Sequence, residues 1–285
     1  MKILSFEHAG QATYGVLHGD DCLLPPQAFL SRFPDVRAVL EGAALDELRD
    51  AIGQGTVLAR AGVRALPVLA NPGKLICVGL NYKTHVAETK RADSEYPSLF
   101  LRFNDSLAAD GDEVLRPAFS ERFDWEGELA FVIGKGGRHI AKENAFAHIA
   151  GYACFNDISV RDWQRHTHQF TPGKNFPGTA PFGPFLVTRD EVPDVSQLQL
   201  ETRLNGQVVQ KAGLSDLIFD IPTIVAYISR FTPLSPGDVI ATGTPGGVGD
   251  RREPPLYMQH GDQVEVEITG LGVLRNRIGT DRSAT

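Results

Sequence analysis

No run of apolar residues in this 285-residue chain approaches the roughly 20 that a membrane-spanning helix needs. No membrane partner is expected. The chain does not start with a basic stretch followed by an apolar one, so a cytoplasmic protein is expected. Cysteine is scarce: Cys22, Cys77 and Cys154 are odd in number and far apart, which offers neither a disulfide framework nor zinc-ligand spacing. They are expected to be buried and reduced. The 28 basic residues are scattered through a chain of net charge -7, which leaves no basic face for nucleic acid. The expected partner is a small molecule. Internal repeats, low-complexity tracts and heptads are also missing.

What is present is ordinary for a globular protein: 42% apolar and 22% charged residues. The length allows one large domain, or a small one joined to a larger one. Residues 1–70 read as a small N-terminal α+β module, with strands near 2–6, 14–17 and 22–24 and a helix near 45–52. Asn71-Pro72-Gly73 is a turn signal, and a soft boundary is placed there. Residues 71–285 read as β-rich, mixed α/β. Residues 74–78, 127–133 and 239–241 look like buried strands. Residues 198–204 and 207–210 flank Asn205-Gly206, the two-residue turn of a type I′ hairpin. Residues 221–231 have helical apolar spacing, with Asp220 as cap and Pro222 in the first turn. Residues 264–268 and 273–278 form a second probable hairpin.

The chemistry concentrates around Asp124-Trp125-Glu126-Gly127-Glu128, where acids alternate into a buried strand. Alternate strand residues share a face, so these side chains would point together. Like charges buried side by side need a compensating cation, and a hard divalent metal suits an all-oxygen site. The competing reading is a strand end wetted by solvent. Asp157, after the apolar run 149–155, is either a third oxygen ligand or a helix cap. His85 and Glu88 are three apart, so on a helical turn the carboxylate would orient the imidazole as a general base; an exposed ion pair would look the same.

Other polar residues carry weaker signals. His166 and His168 lack a third nitrogen or sulfur ligand nearby, so a transition-metal site is discounted. Lys174 lies among turn formers, where a lone lysine is ordinarily a solvated surface charge. The loop 243–249 lacks the lysine and hydroxyl pair of a Walker sequence, and Pro245 removes an amide donor. A tight loop offering backbone amides and the Thr244 hydroxyl to a carboxylate is the better reading.

In this order these segments resemble the fumarylacetoacetate hydrolase family. The matching pieces are residues 74–82 with His85 and Glu88, then 97–102, 125–135, 151–164, Lys174 with Phe176, and 237–249. The resemblance implies a β-sandwich roll catalytic domain, usually a homodimer. It assigns Glu126, Glu128 and Asp157 as ligands of Mg²⁺ or Mn²⁺, and His85 with Glu88 as the water-activating dyad. Lys174 becomes the cation near the reacting oxygen, and Arg161, Gln164 and Thr244 become substrate contacts. The implied activity is metal-dependent hydrolysis of a carbon-carbon bond in acylpyruvates, giving pyruvate and a carboxylic acid, in aromatic or sugar-acid breakdown. Oxaloacetate decarboxylation, isomerisation of 2-hydroxymuconate-type diacids and hydrolysis of diketo-deoxy sugar acids are alternatives on the same site. Where the family commonly has lysine then proline, this chain has Arg102-Phe103. Arginine can grip a carboxylate with two parallel hydrogen bonds, so Arg102 is expected to hold a second substrate carboxylate, as in maleylpyruvate or fumarylpyruvate. Asp124 is expected outside the ligand set, paired with an arginine such as Arg122.

Overall fold

The structure is a computed structural model that describes residues 1–89 and 94–281, apart from the side chains of Val86, Ala87 and Thr89. Its main sheet follows one path through ten strands: Val57–Ala59, Asp21–Leu23, Gln11–His18, Lys2–His8, Ala180–Thr188, Ile149–Asn156, Gly127–Ile133, Val239–Ala241, Leu75–Gly79 and Ser98–Leu101. A five-stranded sheet runs Gln207–Gly213, Gln199–Leu204, Gln263–Ile268, Gly272–Asp281 and Glu113–Pro117. A two-stranded ribbon joins Phe123–Asp124 to Ser159–Val160.

Gly127–Ile133 is buried along its whole length, which explains its nearly continuous apolar sequence. Leu129, Phe131 and Ile133 face the core shared with Leu200, Val266 and Leu274 of the smaller sheet and with Ile224 and Ile228 of the helix Ile221–Phe231. Ala130 and Val132 face the opposite core, with Ile3, Val39 and Leu48 of the leading segment. Full burial of each large apolar side chain contributes about 1.5–3 kcal/mol, so both faces hold the central strand in place. The expected division near residue 70 is not a division of the sheet. Lys2–His8 pairs antiparallel with Ala180–Thr188, with Ile3 opposite Leu186, and the leading segment supplies both cores.

Local expectations fare well where a turn or cap sets them. Asn205 and Gly206 adopt φ of 51° and 79° between paired strands, as a type I′ hairpin requires. Asp220 accepts from the Thr223 amide at 2.9 Å, capping Ile221–Phe231. All three cysteines are free and buried.

Strand direction assembles the site. Leu75–Gly79 and Val239–Ala241 run parallel, so both chains leave the sheet at the same end. Gly127–Ile133 is antiparallel to Val239–Ala241 and begins there; Ile149–Asn156 is antiparallel in turn and ends there. Four connections therefore meet, carrying residues 80–89, 124–128, 156–164 and 242–250.

Gly243 is what lets two of them meet closely. Its φ is +103°, and a Cβ there would lie 2.8 Å from both Asn81 Cβ and Val78 O. Both neighbours are immobile, since Asn81 donates to Phe219 O and Thr242 O and accepts from the Phe219 amide. Gly243→Ala is expected to destabilise the protein by about 1–3 kcal/mol in urea unfolding. Gly10→Ala, also at positive φ but with open space around it, should cost less.

Candidate metal centre and cavity

Glu126 and Asp157 are neighbours across the start of one strand and the end of the next. The Asp157 amide donates to Glu126 O at 2.8 Å, and Asn156 Oδ1 accepts from the Glu126 amide at 3.0 Å. Glu128 lies two residues further along, on the same side. Carboxylate oxygens of Glu126, Glu128 and Asp157 all lie within 4.8 Å of one another, and all three residues are buried. The three acids assigned as ligands are thus brought together.

Asp124 departs from the expected alternation. The extended chain breaks at Trp125-Glu126, and Asp124 joins the separate ribbon with Ser159 opposite it. Its partner is Arg161 rather than Arg122. Arg161 Nε and Nη2 both lie 2.7 Å from Asp124 Oδ2, and the amides of Gly249 and Asp250 donate to Oδ1 and Oδ2 at 2.7 and 3.0 Å.

Three buried cations face these four acids. Lys174 Nζ is 2.7 Å from Glu126 Oε2 and 2.5 Å from Asp157 Oδ2, and Arg161 Nη1 is 2.6 Å from Glu126 Oε1. Arg102 Nη1 donates to Asp157 Oδ1 at 2.5 Å. Lys174 is therefore no solvated surface charge: it closes a short helical turn, Thr171–Lys174, with its ammonium fully enclosed. Burial alone would lower its pKa, but Asp157 and Glu126 outweigh this and raise it, so it acts as a permanent donor. Burial would raise the Glu126 carboxyl; Lys174, Arg161 and His85 together hold it below the usual range.

Glu128 is the acid left over. Burial first, then the charges of Asp157 and Glu126, push its carboxyl well above the ordinary value, and Oε2 accepts a hydrogen bond from the Gly243 amide at 2.8 Å. Were all four ionised, the carboxylates would exceed the three cations by one negative charge, at the point where three carboxylates converge. Hard oxygen donors with a surplus negative charge fit a divalent cation such as Mg²⁺ or Mn²⁺.

The site opens on a cavity of about 650 Å³. Glu126, Glu128, Lys174 and His85 line its inner end, and Val78, Phe100, Phe170 and Val248 supply apolar wall. His85 and Glu88 do share a helical turn, in Lys83–Thr89. His85 Nδ1 is 3.6 Å from Glu88 Oε2, longer than a hydrogen bond, and neither atom has a hydrogen-bond partner among the described residues. Glu88 Oε1 is anchored by the Gly247 amide at 2.7 Å.

The glycine-rich loop does present amides to carboxylates, but to the protein's own. Gly243, Gly247 and Gly249 donate to Glu128, Glu88 and Asp124 respectively. Thr244 lines the cavity, yet its hydroxyl donates to Gly127 O and accepts from Gln210 Nε2. Arg161 and Gln164 also line it, joined by a 2.9 Å hydrogen bond from guanidinium to amide oxygen.

Arg102 requires a correction. Its side chain is fully buried, and its nitrogens donate to Asp157 Oδ1, Ile158 O, Thr179 Oγ1 and Ser106 Oγ. It is not on the cavity wall and is not positioned to hold a substrate carboxylate; it orients Asp157. Asp157 is not a helix cap either, because Val160 occupies the cap of Arg161–Gln164. His166 packs at a tilt against Trp163 and His168 lines the cavity; among the described residues neither joins a metal-ligand cluster. Arg165, Asp250 and Arg251 are cavity residues the sequence did not single out. Their neighbours in sequence belong to recognised motifs, which is the only signal that pointed near them.

A β-rich α/β chain that gathers three acids, a buried lysine and a histidine at one sheet end matches the architecture of a family of enzymes. The chain belongs to the fumarylacetoacetate hydrolase family: residues 74–279 match the model described as fumarylacetoacetate (FAA) hydrolase C-terminal. A human relative, the mitochondrial oxaloacetate tautomerase FAHD2A, is 42% identical over 239 residues, spanning 83% of this chain and 76% of its own. The solved fumarylacetoacetate hydrolase of Exiguobacterium antarcticum is 35% identical with a TM-score of 0.88, covering 99% of this chain and 100% of its own. The maleylpyruvate hydrolase of Sphingobium sp. SYK-6, solved with manganese(II) and pyruvate, is 26% identical with a TM-score of 0.82, with 99% and 100% covered.

Two substitutions probe the charge balance. Glu128→Gln is expected to stabilise the metal-free protein on the order of 1 kcal/mol while abolishing the rise in melting temperature on adding Mn²⁺. Arg102→Met removes one of the two cations on the buried Asp157 carboxylate, leaving Lys174 alone, and is expected to cost about 3 kcal/mol in denaturant unfolding.

Proposed function

We propose that this protein is a divalent-metal-dependent enzyme that converts 2-oxo acids through their enol form, with keto–enol tautomerisation of an oxaloacetate-type diacid as its reaction. The observation that carries this is the convergence of Glu126, Glu128 and Asp157, the first two of which line the cavity that His85 and Lys174 share. The relatives named as oxaloacetate tautomerases support the choice of substrate.

A divalent cation held by these three carboxylates supplies charge that stabilises a developing negative oxygen and acidifies the adjacent carbon. His85 then takes a proton from C3 of the 2-oxo acid. Its Nδ1 faces Glu88, which leaves Nε2 as the proton-accepting atom. Lys174, kept protonated by its acids, places a donor beside the oxygen that gains charge. The proton returns to that oxygen, so the enol is an isomer of the substrate.

A second reading, hydrolysis of an acylpyruvate, is favoured by the His85 and Glu88 pair, because a carboxylate-oriented histidine is suited to drawing a proton from water. Water would add to the distal carbonyl, the carbon-carbon bond would break, and the departing three-carbon enol would take up a proton to become pyruvate. One water is consumed. Maleylpyruvate hydrolase among the structural neighbours supports this reading.

A cytoplasmic location remains the reading for this chain, although the tautomerase relatives are named mitochondrial; no helix among the described residues is long and apolar enough to cross a membrane. Assembly is read as a homodimer on the family resemblance, and a monomer mass by light scattering would reject that.

The enol absorbance of oxaloacetate separates the two activities. The Mg²⁺- or Mn²⁺-loaded protein is expected to speed approach to keto–enol equilibrium without releasing pyruvate, and chelator should abolish the effect. His85→Ala should lower kcat by about 10²–10⁴-fold while leaving Mn²⁺ affinity unchanged. Pyruvate release from maleylpyruvate or fumarylpyruvate, with no effect on oxaloacetate, would replace the first reading by the second. Full activity in chelator would reject both.

A further inference from the structure

With Arg102 turned away from the cavity, a second substrate carboxylate needs another partner. The outer part of the cavity wall carries Arg165, Thr167, His168, Asp250 and Arg251. Its charge is opposite to that of the inner end. Arg165 and Arg251 both lean on one acid: Arg165 Nη2 pairs with Asp250 Oδ2, and Arg251 Nε is 3.6 Å from the same oxygen. The Asp250 side chain is only 5% exposed, whereas those of Arg165 and Arg251 are 43% and 36% exposed, so the guanidiniums reach the opening while their shared counter-ion stays beneath. Asp250 Oδ1 is taken by the Tyr257 hydroxyl at 2.9 Å. Two cations set against one acid leave a net positive charge at the mouth.

This mouth is also held at a set distance from the inner acids. Asp124 grips Arg161, at the start of the short helix that leads into Arg165, and the amides of Gly249 and Asp250, which start the turn ending at Arg251. Arg161 in turn contacts Glu126. One buried carboxylate thus ties both arginine-bearing elements to the inner site, and a Cβ at Gly249 would meet Leu256 O at 1.8 Å and Asp124 Oδ1 at 2.8 Å, so the loop has no slack.

We infer that Arg165 and Arg251 form an anion subsite that receives the distal carboxylate of a 2-oxo dicarboxylate, and that Asp124 is the positioning residue that sets its place. The inference rests on the reading above that the inner end takes the 2-oxo acid group. It makes the enzyme selective for diacids: a monoacid fills the inner end and leaves the two guanidiniums to water, while a diacid satisfies both ends of the cavity.

Calorimetric titration of the Mn²⁺-loaded protein with pyruvate and with 2-oxoglutarate tests this through the ratio of their affinities. The unaltered protein should favour 2-oxoglutarate about tenfold or more, and Arg165→Gln combined with Arg251→Gln should cut that ratio by about 10-fold or more. Arg251→Glu should lower it further. Asp124→Asn should lower it as well, whereas a purely structural role would reduce thermal stability without moving the ratio. No preference in the unaltered protein, or a ratio unmoved by the arginine substitutions, overturns the subsite while the 2-oxo acid reading stands. Absence of any Mn²⁺-dependent pyruvate binding overturns that reading and the subsite with it.

Discussion

Four carboxylates buried at one end of a sheet govern how the rest of this protein is arranged. Each of Asp124, Glu126, Glu128 and Asp157 would be unaffordable alone in that setting, because a buried charge without partners costs several kcal/mol. Lys174, Arg161 and Arg102 are drawn inside to meet them, and the glycine-rich loop supplies amides where side chains cannot reach. The compensation stops one charge short, at Glu128. That shortfall is what suits the site to a cation, and it persists because the surrounding strands are locked by apolar cores on both faces.

The cavity inherits a polarity from this arrangement. Its inner end gathers the acids and its mouth is cationic, and its wall includes apolar residues. A ligand with an oxygen-rich head and a second negative group matches both ends. The glycine-rich loop reads as the physical link: the same short segment anchors the carboxylates of Glu128, Glu88 and Asp124, so all three are held by one backbone. Such a loop cannot adjust one residue without the others, which favours a preorganised site over one assembled on binding.

The legible parts of this protein were those with a local cause. The hairpin at Asn205-Gly206, the capped helix after Asp220 and the buried strand at Gly127–Ile133 each follow from residues adjacent in the chain. Glu126 and Glu128 were readable as a pair because strand periodicity places them on one side. Arg102 was misread because its chemistry is the same in either role: a guanidinium that grips carboxylates does so whether the carboxylate belongs to substrate or to Asp157, and only the burial of its side chain distinguishes them. Lys174 was misread locally for the opposite reason, since its flanking turn formers resemble surface while its ammonium is enclosed. The N-terminal module looked separable because Asn71-Pro72-Gly73 reads as a turn signal, yet Lys2–His8 joins the main sheet through pairings some 180 residues distant.

By itself the sequence determined the element types, the family, the three converging acids and the His85 and Glu88 spacing, since each is written in short-range pattern or in ordered motifs. Only the tertiary structure decided which cation meets which acid. Arg161 joins Asp124 to Glu126, Arg102 lies behind Asp157, and Arg165 with Arg251 ends at the cavity mouth. Those choices depend on which strand ends coincide in space, and strand register and direction are set by long-range pairing that no local pattern encodes.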